Sequence, residues 1–159
     1  GAPAQILKNA NDKLCENNTS NNFATAFFGI LEISTGKLFT TNAGQNHPVV
    51  IKGNGHIEVL KYTHSLPIGA FEDSDFKNYV FQLEHGDKLF LHTDGVAKAE
   101  NIKGESFGDK RILKSLNVHK NMRCKEILHG VRTDVNDFIK GNNQHDDITM
   151  LCIDYYPNR

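Results

Sequence analysis

Apolar residues at Ile6, Leu7, Ala10 and Leu14 recur at the spacing of one helical face, and Pro3 sits where a first turn would start. The pattern predicts a helix over Pro3 to Asn17. Phe23 to Ile33 changes period. It is almost continuously apolar, β-branched and aromatic, which suits a strand covered on both faces and central in its sheet. Ser34-Thr35-Gly36 supplies turn chemistry and Lys37 to Ala43 returns as a second strand, with Gly36 able to take positive φ. After a loop over Gly44 to Pro48, the stretches Pro48 to Lys52 and His56 to Leu60 flank Gly53-Asn54-Gly55 as a second hairpin. Phe76 to Leu83 and the strand starting at Lys88 flank His85-Gly86-Asp87, which predicts a third. Helical spacing then resumes. Lys110 to Leu116 reads as a short helix, and Cys124, Ile127, Leu128, Val131, Val135, Phe138 and Ile139 line one face of a longer helix that should lie on a sheet. Gly141-Asn142-Asn143 stops it, and the alternating run Ile148 to Tyr155 closes the chain as a strand.

Hairpins in series, with helices grouped at the start and before the last strand, indicate an α+β protein rather than alternating βαβ units. The expected architecture is an antiparallel β-sandwich flanked by helices, in α/β/β/α layers. At 159 residues the chain is expected to be one domain over 1–159, with a core that needs no disulfide staples.

Charge narrows the partners only by exclusion. Eighteen Lys and Arg against 19 Asp and Glu leave a net charge of −1, so no global field draws the chain to nucleic acid or an anionic membrane. Between Lys98 and Arg132 nine basic residues meet four acidic ones. That balance suits either a solvated helical face or a dock for an acidic phosphoprotein. No apolar run approaches a membrane span. Cys15, Cys124 and Cys152 are an odd count without CxxC or zinc spacing, which reads as reduced core thiols in a cytoplasmic protein.

The chemistry concentrates at two places. Lys88-Leu89-Phe90-Leu91-His92-Thr93-Asp94-Gly95 is an apolar strand ending in an aspartyl turn, and Gln144-His145-Asp146-Asp147-Ile148-Thr149 puts carboxylates at the mouth of the last strand. Asp94 and Asp146 are separated by 146 − 94 = 52 positions, so only the fold can bring them together. Carboxylates at strand ends suit hard cations such as Mg²⁺ and Mn²⁺, which prefer oxygen ligands. Taken singly, Asp-Gly after a strand is an ordinary turn; the pairing of the two motifs is what favours a metal site. His92 and His145 adjoin the aspartates, but hard cations prefer oxygen, so packing or hydrogen bonding is the expected role. Asp147 is expected to support a ligand or cap the last strand's entry.

The ordered set Asn11-Asp12-Lys13-Leu14, Phe23-Ala24-Thr25-Ala26, Asn42-Ala43-Gly44, Leu66-Pro67-Ile68-Gly69, His85-Gly86-Asp87, Thr93-Asp94-Gly95-Val96, Gly104-Glu105-Ser106-Phe107-Gly108 and Asp146-Asp147-Ile148-Thr149 resembles the bacterial serine phosphatases of the SpoIIE/RsbU type, within the metal-dependent PPM superfamily. The resemblance implies a two-metal protein phosphatase acting on phosphoserine or phosphothreonine of a regulatory partner, of the anti-anti-sigma kind, under an upstream sensor or receiver domain. It maps metal binding, and hence catalysis, onto Asp94 and Asp146, with Mg²⁺ or Mn²⁺ as cofactor. A metal pair would activate water directly, so no Ser, Cys or His nucleophile is expected. Asn42-Ala43-Gly44 and Leu66-Pro67-Ile68-Gly69 are expected to fix loop geometry.

Departures from that family pattern matter. Its members carry an earlier GGD-like segment and a DxSGxG segment whose aspartates complete the metal site, and neither occurs here. The chain therefore reads as the C-terminal two-thirds of such a domain, lacking N-terminal strands, with little or no hydrolysis expected from it alone. Unpaired sheet edges would favour self-association. His92 replaces a usual Tyr, and Lys98 a frequent Glu. Lys98 reads as an exposed lysine or as a group meeting a substrate phosphate. The alternative to an enzyme is a pseudophosphatase or partner-binding module of the same fold.

Overall fold

A computed structural model describes residues 2–16, 18–142 and 146–157, and divides the chain into two compact units. Unit 1 comprises residues 1–45, 62–83 and 157–159, and unit 2 comprises 46–61 and 84–156.

Unit 1 contains α1 (Pro3–Cys15), β1 (Ala26–Glu32), β2 (Lys37–Ala43) and β5 (Tyr79–Gln82). The helix starts on Pro3, whose missing N–H costs nothing in a first turn. It buries Ala4, Leu7 and Asn11, so of the anticipated stripe only Leu7 is buried, and Ile6 and Leu14 are exposed. Asn11 explains the rotation of that face. It is fully buried because its amide is satisfied twice, accepting from the Gly69 N–H at 2.9 Å and donating to the Phe71 carbonyl at 3.0 Å. The strands pair antiparallel in the order β1-β2-β5, with Ile30 opposite Phe39 and Phe39 opposite Val80. Gly36 closes the β1–β2 hairpin at φ 75°, as its turn chemistry requires.

β1 is a correction. The continuous apolar run is not a central strand covered on both sides; β1 is an edge strand among the described residues, and Phe23, Ile30 and Ile33 are exposed. Continuous hydrophobicity reports residues that can be buried, not which neighbour covers them.

Unit 2 contains β3 (Val49–Ile51), β4 (Ile57–Val59), β6 (Lys88–His92), α2 (Asp94–Ala97), α3 (Gly108–His119), α4 (Cys124–Phe138) and β7 (Met150–Asp154). Its sheet runs β4-β3-β6-β7, antiparallel throughout. Val49, Phe90 and Cys152 are cross-strand neighbours and so share one face. Onto that face pack Ile112 and Leu116 of α3 and Ile127, Val131 and Val135 of α4, all essentially fully buried. Each such side chain contributes about 1.5–3 kcal/mol of transfer free energy. The helix-on-sheet expectation for α4 is met, and Gly141 ends the helical stretch at φ 89°.

Two further boundaries differ. The third hairpin does not form: β5 pairs with β2 and β6 with β3, so the two strands belong to different sheets. The turn between them is instead built around Asp87, which accepts hydrogen bonds from Lys52 Nζ, Gly53 N–H and Glu84 N–H, each at 2.9 Å. The short helix grows to Gly108–His119, starting at a glycine with φ 69°. The mixed α+β class with antiparallel sheets is as expected. The cysteines are half-buried rather than core residues.

Candidate functional site

Leu89 and Phe90 bury β6 in the sheet, and the strand then delivers its polar end to the surface at Thr93-Asp94-Gly95. Thr93 stays extended, at φ −88° and ψ 166°, and Asp94 opens the one-turn helix α2. The Thr93 hydroxyl does not cap that helix; it is committed to the last strand. Thr93 Oγ1 accepts from the Thr149 N–H at 3.1 Å and donates toward the Asp147 carbonyl at 3.3 Å, while the Thr93 N–H donates to the Thr149 carbonyl at 3.0 Å.

Gly95 shows how closely the two motifs meet. A Cβ built there would overlap the Asp147 carbonyl oxygen and lie 3.2 Å from the Asp146 carbonyl oxygen. Only a residue without a side chain lets the two backbones touch. The Asp94 turn and the Asp146-Asp147 segment are therefore adjacent, 52 positions apart in sequence (146 − 94). Asp147 contributes to this contact through its carbonyl, with its side chain exposed. Gln144 and His145, the rest of the second motif, lie outside the described residues, as does Asn143 of the helix stop.

Lys98 completes the cluster. Its ammonium reaches Asp94 Oδ2 at 2.6 Å, one helical turn on, and its backbone N–H donates to the Asp94 carbonyl at 2.7 Å. The hydrogen bond to Asp94 raises the Lys98 pKa most, followed by the Asp94 charge, with a further contribution from Asp146. Lys98 thus lies in the field of both carboxylates while remaining exposed, as one of its two sequence readings had it.

His92 sits inward of the aspartate. It is buried, with its ring 5.8 Å from that of Phe90 and its Nδ1 within 3.1 Å of Asn46 Nδ2 and 3.2 Å of the Thr93 carbonyl. Burial lowers its pKa, opposed by the Thr93 carbonyl and by Asp109 and Asp94, so the ring is neutral at pH 7. Its role is packing and hydrogen bonding, as expected. Asn42 and Gly44 likewise fix a loop: Asn42 Oδ1 accepts from the Gln45 N–H at 2.7 Å and Gly44 takes φ 76°.

Asp94 and Asp146 offer a hard cation the right kind of donor. Among the described residues no group of three or more His, Cys, Asp or Glu side chains is arranged to hold a metal ion. The donor set fits in kind and is short in number.

One constellation escaped the sequence reading. Ser115 Oγ donates to Asp134 Oδ2 at 2.5 Å, and His119 Nε2 lies 3.3 Å from the same oxygen. The carboxylate sits between the other two groups, so the histidine cannot take the serine proton, and Ser115 is buried. The three residues lock α3 to α4 and make no nucleophile. Serine and histidine four apart on one helix was the only sequence trace.

Comparison with known proteins agrees with this layout. The family profile of Stage II sporulation protein E (SpoIIE) matches residues 1–156. Protein IcfG of Synechocystis is 33% identical over 131 residues, covering 82% of this chain and 20% of that protein. Phosphoserine phosphatase RsbU of Bacillus subtilis is 24% identical over 153 residues, covering 95% and 44%. In three dimensions the SiaA-PP2C domain of Pseudomonas aeruginosa aligns with TM-score 0.82 and 21% identity over 97% of this chain and 61% of that one. The Mn-presoaked phosphatase domain of SpoIIE from Bacillus subtilis aligns with TM-score 0.71 and 18% identity, over 100% and 68%. The chain thus spans under half the length of these two curated relatives. With an antiparallel α+β fold like that of the PP2C domains and a profile match along nearly its whole length, the chain belongs to the SpoIIE family.

Proposed function

We propose that the chain carries part of the metal site of a bacterial signalling phosphatase that hydrolyses phosphoserine or phosphothreonine on a regulatory protein, with Asp94 and Asp146 as ligands to Mg²⁺ or Mn²⁺. The reading treats residues 1–159 as belonging to one phosphatase domain, because the family profile runs across both compact units. Its main support is the contact of Gly95 with the Asp146-Asp147 backbone, which sets the half-exposed Asp94 turn beside the exposed Asp146-Asp147 segment.

Bound divalent cations supply charge neutralisation for the phosphoryl oxygens and acidify water. The chain's own residues do the positioning. Thr93 ties the mouth of β7 to the end of β6, Gly95 lets the turns touch, and buried neutral His92 holds the turn from below without adding charge. Two carboxylates and water make a weak site, so residues 1–159 by themselves should turn over a phosphopeptide slowly or not at all.

Mn²⁺ titration followed by electron paramagnetic resonance tests the ligand assignment. Asp94→Asn and Asp146→Asn should each weaken binding about tenfold or more. Affinity unchanged in both variants would remove the pair from the site.

The Lys98–Asp94 ion pair favours a second reading, a non-hydrolytic binding module, since the chain already places a cation on a proposed ligand. Lys98→Ala separates the two. If the lysine competes with metal, Mn²⁺ binding tightens a few-fold; if the two carboxylates are too few to hold metal with or without the lysine, neither the parent chain nor the variant binds Mn²⁺.

A further inference from the structure

Cys124 is the first residue of α4 and Cys152 the middle residue of β7. The helix reaches the strand because Ile127, Val131 and Val135 bury themselves on the sheet face that Cys152 shares with Phe90. Its first turn therefore overlies the centre of β7. The two Sγ atoms stand 2.7 Å apart across 28 positions of sequence, with the Cys124 thiol donating to the Cys152 sulfur. A covalent S–S bond spans about 2.05 Å, so closing the pair requires a displacement of less than about 1 Å. Both cysteines keep partial solvent access, which admits a small oxidant. Cys15 has no such neighbour; its sulfur lies 3.9 Å from Asn11 Oδ1 in its own helix.

We propose that Cys124 and Cys152 form a peroxide-responsive pair that closes reversibly into an intramolecular disulfide, a modification site that staples the first turn of α4 to β7.

The roles of the two sulfurs follow from their surroundings. Burial raises the pKa of both thiols, but the hydrogen bond from Cys124 acts in the opposite direction on Cys152 and favours its thiolate. Cys152 is accordingly the attacking sulfur. Its thiolate displaces hydroxide from hydrogen peroxide and becomes a sulfenic acid; Cys124 then attacks that sulfur, the S–S bond forms, and the sulfenic oxygen leaves as water. Overall two thiols and one peroxide give one disulfide and two waters, with two electrons passing from sulfur to peroxide. A dithiol reductant reverses the step by exchange. Scarcity of thiolate makes closure slow, so the pair responds to sustained oxidant rather than to trace oxygen. The cross-link encloses the α4–β7 connection on which Asp146 lies, coupling sulfur oxidation to the carboxylate-bearing turn.

The test is peroxide treatment of the folded chain, followed by denaturation, alkylation and peptide mapping. Alkylated sites should fall from three to one, with one peptide linking 124 to 152, full reversal by dithiothreitol, and Cys15 still alkylated. Cys15→Ser should close like the parent chain, whereas Cys124→Ser should leave Cys152 as a sulfenic acid trappable by dimedone. Oxidation of Cys15 before the pair, a bridge between chains, or over-oxidation of Cys152 without a bridge would overturn the proposal.

Discussion

At the scale of single residues, the buried polar groups of unit 2 carry the sharpest consequences. Asp87 is 1% exposed. Burial alone would raise its pKa, but the hydrogen bonds from the Glu84 and Gly53 backbones and from Lys52 outweigh that and lower it below 3.8. Asp87→Ala leaves the Lys52 ammonium and two N–H donors unpaired, which should cost about 3–5 kcal/mol in urea unfolding. His92 behaves differently with pH. Its folded-state pKa lies below the ordinary 6.5, so its neutral burial is fully tolerated above that pH. As pH falls below 6.5 the unfolded ring protonates first, and stability is lost until the folded ring protonates too. The urea midpoint should therefore drop on acidification from neutral to about pH 5, and less steeply in His92→Phe. The packing role of His92 was legible in its place beside the aspartate, but that of Asp87 was not: it reads as an ordinary turn aspartate in His85-Gly86-Asp87, because nothing local announces that Lys52 will arrive from the residue after β3. The meeting of the Asp94 turn with the Asp146-Asp147 segment was anticipated, because each motif follows or precedes a run whose apolar pattern marks it as a strand; the ligand role of the two side chains is the proposal made above.

At the scale of elements, close approach decides what can be substituted. Gly130 of α4 supports the His119 ring, and a Cβ there would stand 2.6 Å from two of its ring atoms. Gly130→Ala should push His119 off Asp134 and destabilise by roughly 1–3 kcal/mol, the usual penalty for overpacking. Gly95→Ala is more severe, since the obstacle is backbone that cannot rotate away. It should part the Asp94 turn from β7 and weaken Mn²⁺ binding as much as removal of a ligand, while His119 contacts stay intact. Helices α1, α3 and α4 and the first two hairpins were readable from period and turn chemistry, which are local properties, whereas the one-turn α2 was read as an aspartyl turn. The β5–β6 hairpin was misread for the same reason: His85-Gly86-Asp87 is a competent turn, yet Gly36 and Leu83 join β5 to β2 through a 2.9 Å hydrogen bond. Partner choice is set by packing, which a single strand's composition does not encode.

At the scale of the whole molecule, the open face of unit 1 bears on solution behaviour. Ile30, Phe39 and Val80 form a cross-strand row that is exposed, next to the unpaired outer edge of β1 among the described residues. An apolar row beside an open edge favours pairing between chains. Multi-angle light scattering should show mass rising with concentration, and Ile30→Lys should suppress the rise without lowering the thermal midpoint by more than a few degrees. Among the described residues no helix is long and apolar enough to cross a membrane.

The interleaving of the two units constrains how the chain can be cut or made. Unit 2 takes the β3–β4 hairpin from residues 46–61 and then waits until 84–156 for β6, the strand that pairs with the other edge of β3. On a ribosome, β3 emerges well before β6 and must persist with β4 as its one partner, its other edge open, while β5 completes the other sheet. A gene fragment encoding only 84–156 would lack half the strands of its own sheet, so dissection into autonomous halves should yield insoluble products, whereas co-expression of 1–61 with 62–159 offers each sheet its missing strands.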